Sequence, residues 1–315
     1  MEIYKRIESF LDKAKENTNN YSLYQGYTGL CYSYFILSSV HNKDRNQKIA
    51  EDIYMDICNN LGRINDASFS NGLAGVGWAI EAINNNGFTN INTDKFLRDF
   101  DDFLYKFITF QKTQNLSLDS GCLGKALYFY QRLTSQNKTN DPYRYIAHAE
   151  CLTLLTDEIR TFLNLLVNKD TKDINKDECI EISQSFILLY LIWKLRYNTE
   201  LLSKMLPEIR TFIEKYFEEN KTESYSIYLL YSYALIAFKA NDNEMINNTK
   251  KWVHNFSSLN NESNLMKYLY FKVNRMTGTR IELNIPIESL TDTFFLLDEH
   301  AENLKIPALR IFCLD

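Results

Sequence analysis

Two kinds of helical pattern alternate along the first half of the chain. The first is an apolar, aromatic-rich run that opens on Gly-x-x-Gly, and it occurs three times, as GYTGLCYSYFIL from Gly26, GLAGVGWAIEAI from Gly72 and GCLGKALYFYQRL from Gly121. The second is amphipathic, with apolar residues every three to four positions, and it covers roughly 45–60 and 93–110. Because the glycine motifs start 46 and 49 residues apart, the pattern predicts a repeat of two helices per unit.

The repeat continues in a less regular form after residue 135. The segment YSIYLLYSYALI at 225–236 aligns without gaps on 26–37, with Tyr225 and Tyr228 in place of the two glycines. The apolar helices are predicted to start near residues 26, 72, 121, 185, 226, 264 and 289. Their amphipathic partners are predicted at 2–15, 45–60, 93–110, 143–167, 199–217 and 243–256. No linker divides the chain, so we predict an all-α fold in a single domain, 1–315.

The amphipathic segment 93–110 carries a regular row of phenylalanines. They recur every three to four residues, which places them on one helix face, and they are Phe96, Phe100, Phe103, Phe107 and Phe110. The acidic stretch Asp99–Asp102 lies among them, and a second acidic stretch lies at Asp298–Glu299. We expect both acidic stretches to face solvent.

The paired glycines need a physical reason, since each costs a helix about 1 kcal/mol relative to alanine. Two glycines three positions apart remove the side chains from one strip of the helix face, so a neighbouring helix, a backbone segment or a ligand must come close. The residues just before them are suited to N-caps, namely Ser70 and Asn71 in one motif and Asp119 and Ser120 in another. Since the same motif stands at the start of each of these helices, we expect the helix starts to share one environment around a common axis.

Composition and charge narrow the class of partner. The net charge is −5 with both signs interleaved and no basic patch, which argues against a nucleic-acid partner. No apolar run approaches 18 residues, so no membrane span is predicted, and the polar amphipathic N-terminus does not read as a signal peptide. The six cysteines are scattered without CxxC spacing, which is typical of free thiols, and we predict a cytoplasmic protein.

The three glycine motifs resemble those of the lanthionine synthetase C-like proteins, the bacterial lantibiotic cyclases. The resemblance covers roughly residues 20–135 and rests on GLAGVGWAIEAI, GYTGLCYSYF and GCLGKALYFY. It implies an α/α toroid of about seven helical hairpins whose later repeats are degenerate here. It also implies that a peptide cysteine adds to a dehydrated serine or threonine, with zinc holding the sulfur as a thiolate. In that family the zinc ligands are two cysteines and a histidine, in Trp-Cys-x-Gly and Cys-His-Gly motifs.

This sequence lacks those ligand motifs. No Cys-His pair occurs, Cys179 and Cys313 have no histidine beside them, and the late histidines His254 and His300 lie in polar segments. We therefore expect no zinc and no metal site. Only the scaffold glycines carry over from the family, and these structural glycines are Gly26, Gly29, Gly72, Gly75, Gly121 and Gly124.

Several residues at predicted helix starts are candidates for binding a peptide in a central funnel. They are Tyr24, Tyr27, Asn71, Asp119, Tyr225 and Tyr228. Asp119 is also the best-placed acid for catalysis, with Asp66 and Glu178 as further acids just before apolar helices, although N-capping or loop roles are the simpler interpretation. We expect Cys122 to be a buried apolar residue and His148 to be a partly buried structural residue.

Three functions compete on these observations. In the first, the protein has lost cyclase chemistry and acts as a binding partner or scaffold, a pseudoenzyme, in maturation of a ribosomally made peptide; its partner is the precursor peptide or a peptide-modifying enzyme. In the second, it is an active α/α-toroid enzyme, either a thioether cyclase with atypical ligands or a carboxylate-based glycoside hydrolase. The third, a tetratricopeptide-type interaction array, requires a 34-residue period that the spacing does not match.

Overall fold

The computed structural model describes residues 2–111, 113–135, 141–219, 223–256, 262–283 and 285–300. In this part of the chain there are fourteen α-helices and no β-strand. The helices are α1 Glu2–Asn17, α2 Tyr27–Ser38, α3 Lys43–Asn60, α4 Leu73–Asn85, α5 Thr93–Phe96, α6 Arg98–Phe110, α7 Cys122–Leu133, α8 Pro142–Val167, α9 Lys176–Lys194, α10 Thr199–Glu219, α11 Ile227–Ala240, α12 Asn243–Val253, α13 Asn264–Thr277 and α14 Leu290–His300. Cys313 and the side chains of Asp298, Glu299 and His300 lie outside the described residues.

The all-α prediction is confirmed, and the helical content agrees with the expected α/α toroid. The seven predicted apolar helices correspond to α2, α4, α7, α9, α11, α13 and α14. α9 begins at Lys176, nine residues before the predicted start near 185, because the capping box of Asn175 and Glu178 begins the helix earlier. The predicted amphipathic partners correspond to α1, α3, α6, α8, α10 and α12. Periodicity alone therefore located thirteen of the fourteen described helices.

Packing divides the chain into two compact units. Among the described residues, unit 1 comprises those up to Leu155 together with those from Ile287 onward, and unit 2 comprises Thr156–Pro286. In unit 1, α2 packs on α1, α3, α4 and α14, and α4 packs on α7. In unit 2, α11 packs on α9, α12 and α13. The prediction of one domain over 1–315 stays a prediction.

The glycine-motif helices α4 and α7 are buried on all sides. Every residue of α4 is buried, including the polar Glu81 and Asn84. The helix begins at a glycine N-cap, and it ends where Asn86 donates its backbone N–H to the carbonyl of Ala82. A helix that is apolar all round is stable only when other elements surround it, which is why these runs form the core of their unit.

The last described helix returns to the first glycine-motif helix. Leu290 of α14 lies beside Gly29, where a Cβ would be 3.5 Å from its Cδ1. Further along, the rings of Phe294 and Tyr32 have centroids 5.9 Å apart. Unit 1 therefore contains a contact between the beginning and the end of the described chain.

The segment 93–110 is two helices, and its buried face differs from the predicted phenylalanine row. α5 ends before Leu97 and α6 begins after it, and the buried residues Leu97, Leu104 and Ile108 face the core. Phe103 and Phe110 are 39% and 81% exposed. Phe100 is buried and Phe96 and Phe107 are partly buried, so the phenylalanine row lies at the edge of the buried face and not at its centre.

The reason is a buried ion cluster that points Asp101 inward. Asp101 accepts hydrogen bonds from Arg132 of α7 and from the hydroxyl of Tyr128, the latter at 2.6 Å. Arg132 also pairs with Glu81 of α4 and with Asp94 of α5, and its side chain is fully buried. The expectation that Asp99–Asp102 faces solvent is therefore wrong at Asp101, which is 3% exposed.

This cluster shifts the pKa values of its acids in opposite directions. Burial alone would raise the pKa of the Asp101 carboxyl, but contacts with His148 and Arg132 outweigh it and hold that pKa well below its usual range. Burial dominates at Glu81 and raises the pKa of its carboxyl despite the Arg132 guanidinium. The ionised form of Asp101 is thus a structural requirement of unit 1.

We predict that Asp101→Asn destabilises the protein by about 3 kcal/mol at neutral pH, because it leaves two largely buried guanidinium groups with fewer partners. A carboxyl whose folded-state pKa is lowered stabilises the fold above its unfolded pKa of about 3.9 and loses that contribution as the pH falls below it. Urea unfolding at pH 7 and at acidic pH should therefore show the two proteins converging in acid. Asp99→Asn, an exposed acid of the same helix, is the control and should unfold like the wild type.

Candidate functional site

The loops before α2, α4 and α7 share one conformation and one motif that the sequence reasoning missed. Each reads Asx-x-Ser-apolar-x-x-Gly, and the three copies span Asn20–Gly26, Asp66–Gly72 and Asn115–Gly121. The signal is visible in the sequence once the motif is extended six residues upstream of the first glycine. All three loops belong to unit 1.

Hydrogen bonds inside each loop repeat with the motif. The serine Oγ accepts the backbone N–H of the residue before the glycine at 3.3 Å in all three copies. The carbonyl of the Asx residue accepts the first N–H of the following helix, at 2.9, 2.7 and 3.2 Å. The loop thereby satisfies a backbone donor that a helix start leaves unpaired.

This folding-back of the loop explains the glycine pairs. A Cβ on Gly75 would lie 1.8 Å from the carbonyl oxygen of Phe69, and one on Gly29 or Gly124 would lie 2.1 Å from the equivalent loop carbonyl. The first glycine of each pair lies equally close to its own loop, as Gly72 does to the carbonyl of Asp66. The sequence left open whether a helix, a backbone segment or a ligand lies against the glycines. The structure shows that their main neighbour is the backbone of the loop in the same repeat.

The expected N-caps are wrong by one or two residues. The N-cap residues of α4 and α7 are the glycines Gly72 and Gly121, and no side chain caps either helix. The loop carbonyls occupy the space in which a capping side chain would lie. Asn71 and Ser120, directly before the glycines, are therefore left exposed to solvent.

Neighbouring loops are joined by a ladder of backbone hydrogen bonds. The N–H groups of Leu23 and Tyr24 donate to the carbonyl of Ser70, at 3.0 and 3.4 Å. One repeat later, the N–H groups of Phe69 and Ser70 donate to the carbonyl of Asp119, at 2.7 and 3.2 Å. The same two positions of each loop therefore bind the same position of the next, which sets the three helix starts in register.

The ladder brings Tyr24 and Asp119 together. They occupy equivalent positions in the first and third loops, and the Tyr24 hydroxyl donates a hydrogen bond to the Asp119 carboxylate. Partial burial raises the pKa of the Asp119 carboxyl, and the bond from Tyr24 opposes that rise. Asp119 keeps substantial exposure to solvent, so this pair lies at an accessible surface.

A row of polar side chains follows at the next loop position. Gln25, Asn71 and Ser120 are all exposed, and each directly precedes its glycine. Tyr27, one residue past the first glycine, is half-buried with its ring centroid 5.7 Å from that of Tyr21. Three sequence candidates, Tyr24, Asn71 and Asp119, thus lie in the three loops, and a fourth, Tyr27, is the first residue of the helix that follows the first loop. We call the three loops together with Tyr27 the loop face.

Tyr225 and Tyr228 lie in unit 2. Tyr225 is half-buried, and its hydroxyl donates to the carbonyl of Ile174 at 3.4 Å. Tyr228 is completely buried in α11, so its side chain offers no surface to a peptide in this structure.

The remaining candidates take structural positions. Asp66 binds the backbone N–H and hydroxyl of Ser68 inside its loop, and Glu178 completes a capping box with Asn175. Cys122 is buried, as predicted, and His148 is buried more completely than predicted. These side chains support the fold around the helix starts.

The described cysteines do not fit the zinc ligand set that the resemblance implies. Within the described residues, no three His, Cys, Asp or Glu side chains are grouped so as to hold a metal ion. Burial raises the pKa of Cys58 to about 11 and the pKa values of Cys151 and Cys179 to about 12, which favours neutral thiols over the thiolates that bind zinc.

Comparison with known protein families identifies the chain. Residues 17–219 match the family described as lanthionine synthetase C-like protein. The chain therefore belongs to the lanthionine synthetase C-like family, and the match includes all three loops and their glycines. A comparison with the curated proteins found no match. Among the described helices, none is both long and apolar enough to span a membrane.

We predict that Gly75→Ala destabilises the protein by about 3 kcal/mol or more, because its Cβ would collide with the Phe69 carbonyl and force the loop off the helix. Thermal unfolding would measure the loss. Gly62→Ala is the matched control, since a Cβ there would meet nothing within 4 Å, and it should leave the melting temperature nearly unchanged. Equal melting temperatures for the two variants would contradict this account of the glycines.

A second prediction concerns Asp119. Removal of the donor in Tyr24→Phe should raise the pKa of the Asp119 carboxyl further, because the bond from Tyr24 favours the ionised form. An NMR titration of aspartate carboxyl carbons would follow this group. Tyr27→Phe should leave the pKa of Asp119 where it is in the wild type.

Proposed function

We propose that this lanthionine synthetase C-like protein binds a ribosomally made peptide at the loop face and acts as a binding partner or scaffold in its maturation. In this proposal it does so without zinc-dependent cyclisation. The observations that support the proposal are the backbone ladder that joins the three loops and the hydrogen bond from Tyr24 to Asp119, with Asn71 exposed one residue after Ser70 of the middle loop.

The chemistry of the loop face suits an extended peptide. Exposed amide and hydroxyl side chains at Gln25, Asn71 and Ser120 can donate to and accept from a peptide backbone. Tyr24 and Tyr27 offer aromatic surface, and the Asp119 carboxylate favours a peptide amino group or basic side chain. Because the backbone ladder holds these groups in place, little ordering is required when a peptide binds.

The cysteines support a role other than zinc-dependent cyclisation. Zinc-assisted thioether formation requires a site that holds a metal and a substrate thiolate. Within the described part of the chain, no cysteine is grouped with further His, Cys, Asp or Glu side chains into such a ligand set. The scaffold of the family, with its glycines and loops, is by contrast complete in three repeats.

Peptide binding should depend on the loop face. Isothermal titration calorimetry with the precursor peptide encoded beside the gene should give a measurable Kd, and the double variant Gln25→Ala/Asn71→Ala should weaken it by roughly tenfold through two lost hydrogen bonds. Asn59→Ala, an exposed asparagine at the end of α3, is the control and should bind like the wild type. Failure to bind any encoded peptide or modifying enzyme would contradict the proposal.

A second candidate, an enzyme that uses Asp119, is favoured by the raised pKa of that carboxyl. A raised pKa suits a general acid, and Tyr24 would orient the group. The test is turnover of a glycoside or a dehydrated peptide by the wild type and by Asp119→Asn. If the wild type turns over such a substrate and the variant does not, the protein is an enzyme and not a scaffold.

A further inference from the structure

A second concave site lies in unit 1, away from the loop residues. It is a cavity of about 280 Å³ between α6 and the first part of α8. Its floor contains the buried residues Phe129, His148 and Cys151. Its rim includes Asp102, Tyr105 and Asp141 together with Tyr143 and Arg144.

The charges around this cavity do not balance. Asp101, Asp102 and Asp141 line it, against Arg144 and the imidazole of His148. Arg144 lies 3.2 Å from Asp101 and 3.6 Å from Asp102, so its charge is committed mainly to the buried acid. The Asp141 carboxylate accepts the backbone N–H groups of Tyr143 and Arg144, which are neutral donors. The mouth of the cavity therefore carries excess negative charge from Asp102 and Asp141.

The floor of the cavity is polar. The side chain of His148 is 6% exposed, and its Nε2 lies 3.1 Å from Asp101 Oδ2, so the imidazole is paired with the buried acid. The polar groups left for an occupant are therefore those at the mouth.

The rim is apolar as well as acidic. On the rim, Tyr143 is 82% exposed and Tyr105 contributes a half-buried ring. Ile146 does not line the cavity, but it lies about one turn further along α8 and is 60% exposed. Exposed aromatic rings next to carboxylates attract cationic groups through both the ring face and the negative charge. An anionic occupant would be repelled by the two rim carboxylates.

From this combination we infer that the cavity is a docking site for a polypeptide segment that inserts a lysine or arginine side chain between apolar neighbours. The cation would lie between the carboxylates of Asp102 and Asp141, and the apolar neighbours would cover Tyr143 and Ile146. The site is separate from the loop face, so its failure would leave the proposed function untouched.

The test titrates short synthetic peptides into the full-length protein. NMR titration with acetyl-Leu-Lys-Leu-amide should show binding at least about tenfold tighter than with acetyl-Leu-norleucine-Leu-amide, which has the same shape without the charge. Added salt should weaken the binding of the lysine peptide. Butylamine should bind more weakly than the lysine peptide because it lacks the apolar neighbours.

Two variants locate the interaction. Asp102→Asn should weaken binding of the lysine peptide by about fivefold or more, while its exposure keeps the fold intact, as circular dichroism would confirm. Asp99→Asn removes an equal charge from the same helix at a position that does not line the cavity, and it should bind like the wild type. Three results would each overturn the inference. The lysine and norleucine peptides would bind equally tightly, the two variants would lose the same amount of affinity for the lysine peptide, or butylamine would bind as tightly as that peptide.

Discussion

The contact between a loop carbonyl and the bare Cα of a glycine is the constraint on which the three helix starts depend. At Gly29, Gly75 and Gly124 the preceding loop folds back so closely that no Cβ fits. That close approach lets the loop supply hydrogen bonds to the first turn of the helix and lets its own N–H groups reach the next loop. The cost in helix propensity is small beside the steric clash that any larger residue would introduce.

The backbone hydrogen bonds between the three loops join three separate sequence motifs into one surface. Because the same two positions of one loop bind the same carbonyl of the next, side chains at equivalent positions fall in a row. Tyr24 and Asp119 meet in this way although 95 residues separate them. A surface of this kind can hold an extended chain at several points, which is the physical basis for the proposal that it binds a peptide.

A buried ion cluster sets the orientation of α6 in unit 1. Arg132 binds acids from three helices, and the Asp101 carboxylate draws α6 into one rotational setting about its axis. The same cluster places His148 and Arg144 beside an acidic, partly aromatic cavity. Except for Phe129, the side chains that line this cavity lie outside the three glycine-motif segments.

The sequence by itself determined the helices and their alternation, because apolar and amphipathic periodicities are local properties of the chain. It also identified the family, since the glycine spacing is written directly in the residues. It did not reveal which face of α6 is buried, because the Asp101–Arg132 pair that decides this joins residues 31 positions apart. The partnership of Tyr24 with Asp119 and the burial of Tyr228 likewise came only from tertiary packing. Periodicity shows which residues share a helix face, but only the neighbouring elements decide whether that face meets core, solvent or a partner.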